Sequence, residues 1–341
     1  MSHARCIAFR LAAALTVGAC LYTPVFAQES THTIKVVVIS YLSYAPIFIA
    51  HDEGFFAAQG LNVELLPVTR VSTAIPSLVK GDIDVLPAVI MPSYFNIINR
   101  GGVMKVVAGK GYNSPDGCAY SGIMARRALL EDGHLRLAGD VRGRRVSTER
   151  TSPSYYLFQR FLATSGLTLD DLTVIDIPAA AKFDAFATGA LDVTTASEPW
   201  LTRYTRAGDT LLWSRTSDYL PGFQFGHFLF GKSLLEDNRD AGGRFILAYL
   251  KAVRHLNAEG KSAKHVDIVA KYTGLEKELV AAACWPPLRN DARAQPESLD
   301  EYQRWALDQG LIDTITPIEQ LYDSRFIERA NRLLDHTPGA G

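Results

Sequence analysis

The sequence predicts an α/β protein of two lobes, each a parallel-rich sheet flanked by helices. Three observations carry this. Ile34–Ser40 is an apolar, β-branched run of strand length, the kind buried on both faces of a parallel sheet. A helix with Pro46 in its first turn and Gly60 just beyond its end follows, and Asn62–Leu66 resumes strand character, which completes one βαβ unit. The same alternation then recurs later in the chain with its punctuation in the same order.

In chain order, Val71–Lys80 reads as a helix with Ser72 and Thr73 at its start and Gly81 at its stop. Asp84–Pro87 is a short strand, Pro92 opens a helix that Gly101-Gly102 ends, and Met104–Ala108 is the next strand. Gly109 to Gly117 lapses into Gly, Asn, Ser, Pro and Asp, the composition of a crossing segment. A second round follows: strand Arg145–Thr148, helix Tyr155–Thr164, strand Val174–Ile177, helix Ala179–Thr188 and strand Leu191–Thr194. Gly60-Leu61 recurs as Gly166-Leu167, and Gly81-Asp82-Ile83-Asp84-Val85 recurs as Gly189-Ala190-Leu191-Asp192-Val193. Two matches in register favour duplicated α/β lobes over common helix-stop punctuation. After Leu220-Pro221-Gly222 comes the strand Phe223–Phe230. The remainder is mainly helical, with Phe245–Leu256 and Leu299–Gln309 its clearest helices.

Of 341 residues, 48% are hydrophobic and 21% charged, and the formal charge is −1. That balance gives no basic surface for nucleic acid. Arg5 and Arg10 flank the apolar segment Leu11–Leu21, and Val25-Phe26-Ala27 places small residues before Gln28. The pattern is a secretory signal, residues 1–27, with cleavage after Ala27; Val17-Gly18-Ala19-Cys20 offers a competing lipid-anchor reading. Beyond the leader, Cys118 and Cys284 remain. An oxidising compartment permits their pairing, and the sequence leaves it open, favouring two free thiols.

The stretch Ala45-Pro46-x-Phe48-x-Ala50, then Glu53-Gly54-Phe55-Phe56-x-x-x-Gly60-Leu61-x-Val63-x-Leu65, resembles the opening of the solute-binding proteins of ABC importers. The branch is the nitrate/sulfonate/taurine-binding and thiamine-precursor-binding (SsuA-like, NMT1/THI5-like) one. The resemblance implies a type II-like periplasmic binding protein with lobe 1 from residues 28–110 plus 227–341 and lobe 2 from 111–226. It also implies a monomer that hands a small-molecule ligand to an ABC permease and its ATPase, with no cofactor and no catalysis. An enzyme resembling the THI5-like pyrimidine-forming proteins is the alternative of another class, and a sensor subunit a third.

Ligands of open α/β sheets bind at the carboxyl ends of strands, so the candidate site is built from the loops there. The first is Tyr41, Tyr44, Ala45 and Pro46, with aromatic faces and helix-start N–H groups for an anion. The second is Arg70, Ser72 and Thr73, whose hydroxyls serve equally as helix caps. The third offers Ala88 and Val89, with Tyr94 assigned to the core. From lobe 2 come Arg150, Thr151, Ser152, Ser154 and Tyr155 at a helix start, then Glu198-Pro199-Trp200, resembling the family's Glu-Pro-aromatic turn. Glu198 can equally cap the Trp200 helix, and Trp200 can pack on its own lobe. Tyr112 and Phe223 complete the aromatic set, which favours a flat aromatic or heteroaromatic ligand, while the arginines and helix starts suit a sulfonate, carboxylate or nitrate. Enzyme motifs of the G-x-S-x-G and H-E-x-x-H types do not occur. His51-Asp52-Glu53 looks ligand-rich, but sequence neighbours on a helix do not face one point, so all three are expected to be solvated.

Overall fold

The computed structural model describes residues 32–148 and 152–336. The leader, its cleavage site, Cys20, Arg150 and Thr151 lie outside them. Among the described residues, ten strands form two five-stranded sheets. The first comprises β1 (His32–Val38), β2 (Leu61–Pro67), β3 (Val85–Val89), β4 (Met104–Gly109) and β10 (Gly226–Gly231), ordered β2-β1-β3-β10-β4. The second comprises β5 (Ser121–Arg126), β6 (Arg145–Ser147), β7 (Thr173–Ile175), β8 (Val193–Ser197) and β9 (Thr210–Arg215), ordered β7-β6-β8-β5-β9. The chain passes from the first sheet to the second between Gly109 and Ser121 and returns between Arg215 and Gly226.

The two sheets have one plan. In each, the second strand of the order pairs in parallel with two neighbours (β1 with β2 and β3; β6 with β7 and β8). In each, the strand entered directly from the other sheet runs antiparallel between two others, β10 between β3 and β4, and β5 between β8 and β9. This is a two-lobed α/β fold of the periplasmic-binding-protein kind. The recurring sequence has a physical basis. Gly81 and Gly189 both close helices with positive φ, 84° and 72°. Asp84 then accepts the Lys35 N–H at 2.8 Å, and Asp192 accepts the Arg145 N–H at 3.1 Å, pinning β3 to β1 and β8 to β6.

Two strands were not expected. β5 opens with Ser-Gly and β9 carries only Leu211-Leu212-Trp213 as an apolar run, too short for periodicity to separate strand from helix or loop. The strand expected from Phe223 begins instead at Gly226. Phe223 and Phe225 precede it in an aromatic cluster with Tyr156, their rings 5.3 and 6.0 Å from it. The expectation of free thiols is corrected: Cys118 and Cys284 form a disulfide across 166 residues of chain. The solvated reading of His51-Asp52-Glu53 fails at Glu53, whose side chain is 11% exposed.

The C-terminal helices do two jobs. Arg239–Glu259 packs on the helix Ala45–Asp52 and on Arg325–Asp335, and a bridge joins Tyr322 to Val106 of β4, so this part belongs to the first sheet. Helix Pro296–Asp308 reaches the other way. Its Glu301 accepts from the Tyr156 hydroxyl at 2.6 Å, and Trp305 donates to Gln159, both on the helix Pro153–Ala163 beside the second sheet. One buried cluster therefore includes residues from both units, Tyr156 and Leu157 with Phe223, Leu299 and Tyr302. Among the described residues no helix is long and apolar enough to cross a membrane.

Candidate functional site

The loop after β1 leaves the sheet in extended conformation at Tyr41, tightens into a turn over Leu42–Tyr44, and enters the helix Ala45–Asp52 with Pro46 in its first turn. Proline lacks an N–H where a helix would leave one unpaired, so this start is favoured. Leu42, Ser43 and Tyr44 are buried by the turn. The Tyr44 hydroxyl donates to the Pro87 carbonyl of β3, fixing the ring edge against the sheet. Over its face lies Lys110, with Nζ 3.7 Å from the ring centroid and donating to Ser43 Oγ at 3.1 Å.

Lys110 is the residue after β4, in the segment that leads to the second sheet. It is 4% exposed, and among the described residues no carboxylate lies within ion-pairing distance of it. Burial lowers its pKa to about 7. His227 on β10 is also buried, and desolvation, opposed by a backbone hydrogen bond at Phe225 and assisted by the Lys110 charge, lowers its pKa to about 3, so the ring is neutral. The Tyr120 hydroxyl hydrogen-bonds with Ser43, and burial raises its pKa. The site thus concentrates donors, a buried lysine and hydroxyls, and among the described residues no carboxylate is ion-paired with the lysine.

The second sheet closes over this loop. The Trp200 indole donates to the Tyr41 hydroxyl, which burial nonetheless shifts upward in pKa. Trp200 is half-buried, and its other neighbours are Arg203, 4.7 Å over the ring, Tyr204 and Phe183. Glu198 is 1% exposed and fully engaged: Oε1 and Oε2 accept from the Thr202 hydroxyl and N–H at 2.7 and 3.1 Å, and Oε1 from Cys284 N–H at 3.1 Å. Burial raises the Glu198 pKa against those hydrogen bonds. Its carboxylate therefore holds the start of the Trp200 helix and ties it to the C-terminal segment.

The remaining expected residues divide. Ala45 and Pro46 are buried in the helix start, and Ala88 is buried beside an exposed Val89. Arg70, Ser72 and Thr73 are exposed, with the Thr73 hydroxyl donating back to the Arg70 carbonyl at 2.7 Å. Ser152 and Ser154 hydrogen-bond to one another, and Tyr155 is buried against Trp305, ring centroids 5.9 Å apart. Phe223 is buried in the aromatic cluster. Tyr112 lines a pocket of about 10 Å³ with Asn113, Cys118 and Tyr120, room for about one water. Beside Trp200 an open groove of about 510 Å³ runs between Arg203 and Arg206 on one side and Gly274–Leu279 on the other. Sequence reasoning missed Lys110, Ser43, Tyr120 and His227. Lys110 carried the one available signal, a lone cation where strand β4 ends and the crossing begins.

The chain resembles several solved structures at low identity, which shows the fold. The periplasmic nitrate-binding protein NrtA from Synechocystis PCC 6803 is 18% identical with a TM-score of 0.72, over 91% of this chain and 90% of that one. The periplasmic aliphatic sulphonate binding protein SsuA from Escherichia coli is 15% identical with a TM-score of 0.69, over 85% and 91%. The desulfurization enzyme DSZB is 15% identical with a TM-score of 0.65, over 89% and 99%. No curated protein matches the sequence. The model of the NMT1-like family matches residues 27–271, more than half of the chain, and the protein belongs to that family.

Proposed function

We propose that this protein is an extracytoplasmic solute-binding protein that captures a small, flat, anionic molecule between its two sheets and delivers it to an ABC permease, without transforming it. The observation that carries the reading is Lys110, a buried lysine that pairs with no carboxylate among the described residues and faces the hydroxyls of Ser43 and Tyr120. An unpaired buried charge is costly, and an anionic ligand that neutralises it gains what the empty site loses. The similar nitrate- and sulphonate-binding proteins are named for oxyanions, which agrees with an anion at this position. Tyr41 and Trp200 supply the aromatic surface for a ring, the source of our preference for an aromatic or heteroaromatic acid over a small aliphatic one. The leader at residues 1–27 would export the chain, which would act as a monomer.

Ligand that touches both units binds their closed arrangement more tightly and shifts the population toward it. Calorimetry of the full mature chain against nitrate, alkanesulfonates, aromatic carboxylates and sulfonates, and pyrimidines tests the reading. One anionic class should bind 1:1, with a smaller radius of gyration by scattering in its presence. Chemical conversion of that ligand by the protein alone, in the manner of an enzyme such as DSZB, would overturn it.

A further inference from the structure

At the opposite end of the helix that follows Tyr44, three segments bring metal-ligating side chains together. Glu53 follows the helix Ala45–Asp52, His255 and Glu259 stand one turn apart near the end of the helix Arg239–Glu259, and His265 lies in the first turn of Ala263–Thr273. The donor atoms of Glu53, His255 and His265 lie within 4.8 Å of one another. His255 Nε2 is 3.4 Å from Glu53 Oε2, and His265 Nε2 is 3.6 Å from Glu53 Oε1. Glu259 reaches the same point, with Oε2 3.7 Å from His265 Nε2.

The tautomer of His265 is fixed. Its Nδ1 lies 2.7 Å from the Gly260 carbonyl, which can only accept, so Nδ1 carries the proton and the neutral ring presents the Nε2 lone pair inward. The ring is fully buried, and Nε2 has no hydrogen-bond partner; nor has His255 Nε2. A backbone carbonyl holding one imidazole nitrogen so that the other can ligate is a common arrangement around protein-bound metals. We propose that Glu53, His255 and His265, with Glu259 as the fourth group, bind a divalent transition-metal ion of the zinc class.

The distances suit the ion. Zinc bonds to nitrogen and oxygen of about 2.0–2.1 Å in a tetrahedron put neighbouring donors about 3.4 Å apart, close to the separations here. Two imidazoles and carboxylates also match its ligand preferences. Lys264 sits 2.9 Å from Glu53 Oε1, but its side chain is 64% exposed and free to swing into solvent when the ion takes that oxygen. Glu259, half exposed, marks the side from which an ion enters. Bound there, the ion would join the helix Ala45–Asp52 to the two helices that cover it, far along the chain from it, and so stabilise the folded form.

The test uses the full mature chain stripped with chelator and titrated with zinc chloride. One ion per chain should bind by calorimetry and by metal analysis after desalting, and the thermal midpoint should rise with it. His255→Ala and Glu53→Gln should each weaken binding by roughly a hundredfold or more, as loss of a ligand does. Cobalt substitution should give the intense visible bands of a tetrahedral site in the wild type and lose them in either variant. His265→Ala removes a fully buried ring and is not relied on. No zinc retained at stoichiometry would overturn the proposal. Zinc binding unchanged in both variants would overturn it too, by placing the ion on other histidines.

Discussion

Lys110 Nζ stands 3.7 Å from the centroid of the Tyr44 ring, with Ser43 Oγ at 3.1 Å completing its contacts. The pair sits where the chain leaves the first sheet for the second, so one side chain senses both the binding loop and the crossing. A cation over an aromatic face gains about 2 kcal/mol when desolvated, too little to offset full burial of the charge. Burial accordingly brings the lysine to about 7.

The first prediction follows from that value. An anion at Lys110 favours its charged form, so above pH 7 binding takes up a proton. Affinity should be flat below pH 7 and fall by up to about tenfold per pH unit above it, until the pKa of the complex is reached. Calorimetry in two buffers of different ionisation enthalpy reads the proton directly. Lys110→Met should abolish binding of the anion. It should also stabilise the ligand-free protein, because the lysine pKa is lower in the fold than in the unfolded chain. The charged form is disfavoured below pH 7, and the penalty is relieved as pH rises toward 10. The expected gain at pH 6 is roughly 1–4 kcal/mol, read from denaturant melts.

The second prediction concerns Trp200, which meets Tyr41 by one hydrogen bond and otherwise packs on Arg203, Tyr204 and Phe183. Trp200→Phe keeps most of the packing and removes the bond between the units, so it should weaken closure by about 1 kcal/mol and leave the melting temperature nearly unchanged. Trp200→Ala should weaken a flat ligand by roughly 1–3 kcal/mol. If both variants bind as wild type does, the ring of the ligand lies elsewhere.

The third prediction is redox. The disulfide Cys118–Cys284 joins the crossing segment to the C-terminal segment, and the Cys284 N–H also holds Glu198. Reduction frees a loop of 166 residues and should cost about 2–5 kcal/mol of stability. It should also loosen the Trp200 turn, because Glu198 loses a fixed partner. Melts with and without reductant give the first effect, and ligand affinity under the same conditions the second.

Much of the fold was legible because its signals are local. β-branched runs, prolines at helix starts and glycines at helix ends mark β1, β2 and the helices between them, and the repeated Gly-x-x-Asp-Val marks the duplicated plan. What escaped depends on distance along the chain. β5 and β9 carry only short apolar runs and take their strand state from pairing, β5 with β8 and β9 with β5. The disulfide needs two loops brought within 5.7 Å at their Cα atoms. At the site, the first loop and Trp200 were visible as motifs, yet Tyr44, Tyr155 and Phe223 are buried in packing, as aromatic residues at strand and helix ends often are. Lys110 was hidden because a single lysine after a strand is ordinarily solvated, and only the closing of Tyr44 and Ser43 over it makes it otherwise.

The last prediction separates the two halves of the duplicated plan. Asp84 and Asp192 make the same bond to the neighbouring parallel strand, β1 and β6, but Asp192 adds Arg145 Nη2 at 2.9 Å and Arg126 Nη2 at 3.1 Å, with its own side chain 4% exposed. Burial by itself would raise the Asp192 pKa; the Arg145 guanidinium and N–H, then Arg126, outweigh it and hold the carboxyl below its ordinary range. A depressed carboxyl contributes stability that is present above its unfolded pKa of about 3.9 and is lost as pH falls through the folded value. Asp192→Asn removes the charge and leaves two guanidinium groups facing an amide. They are 28% and 44% exposed, so water compensates part of the loss, and the expected cost is roughly 1–3 kcal/mol at neutral pH. That cost should shrink toward zero in acid, where the wild type has protonated its aspartate as well. Asp84→Asn keeps an amide oxygen for the Lys35 N–H and should cost well under 1 kcal/mol at neutral pH. Equal losses in the two variants, or an Asp192→Asn cost that persists unchanged at pH 3, would show that the second sheet is not held by this charge.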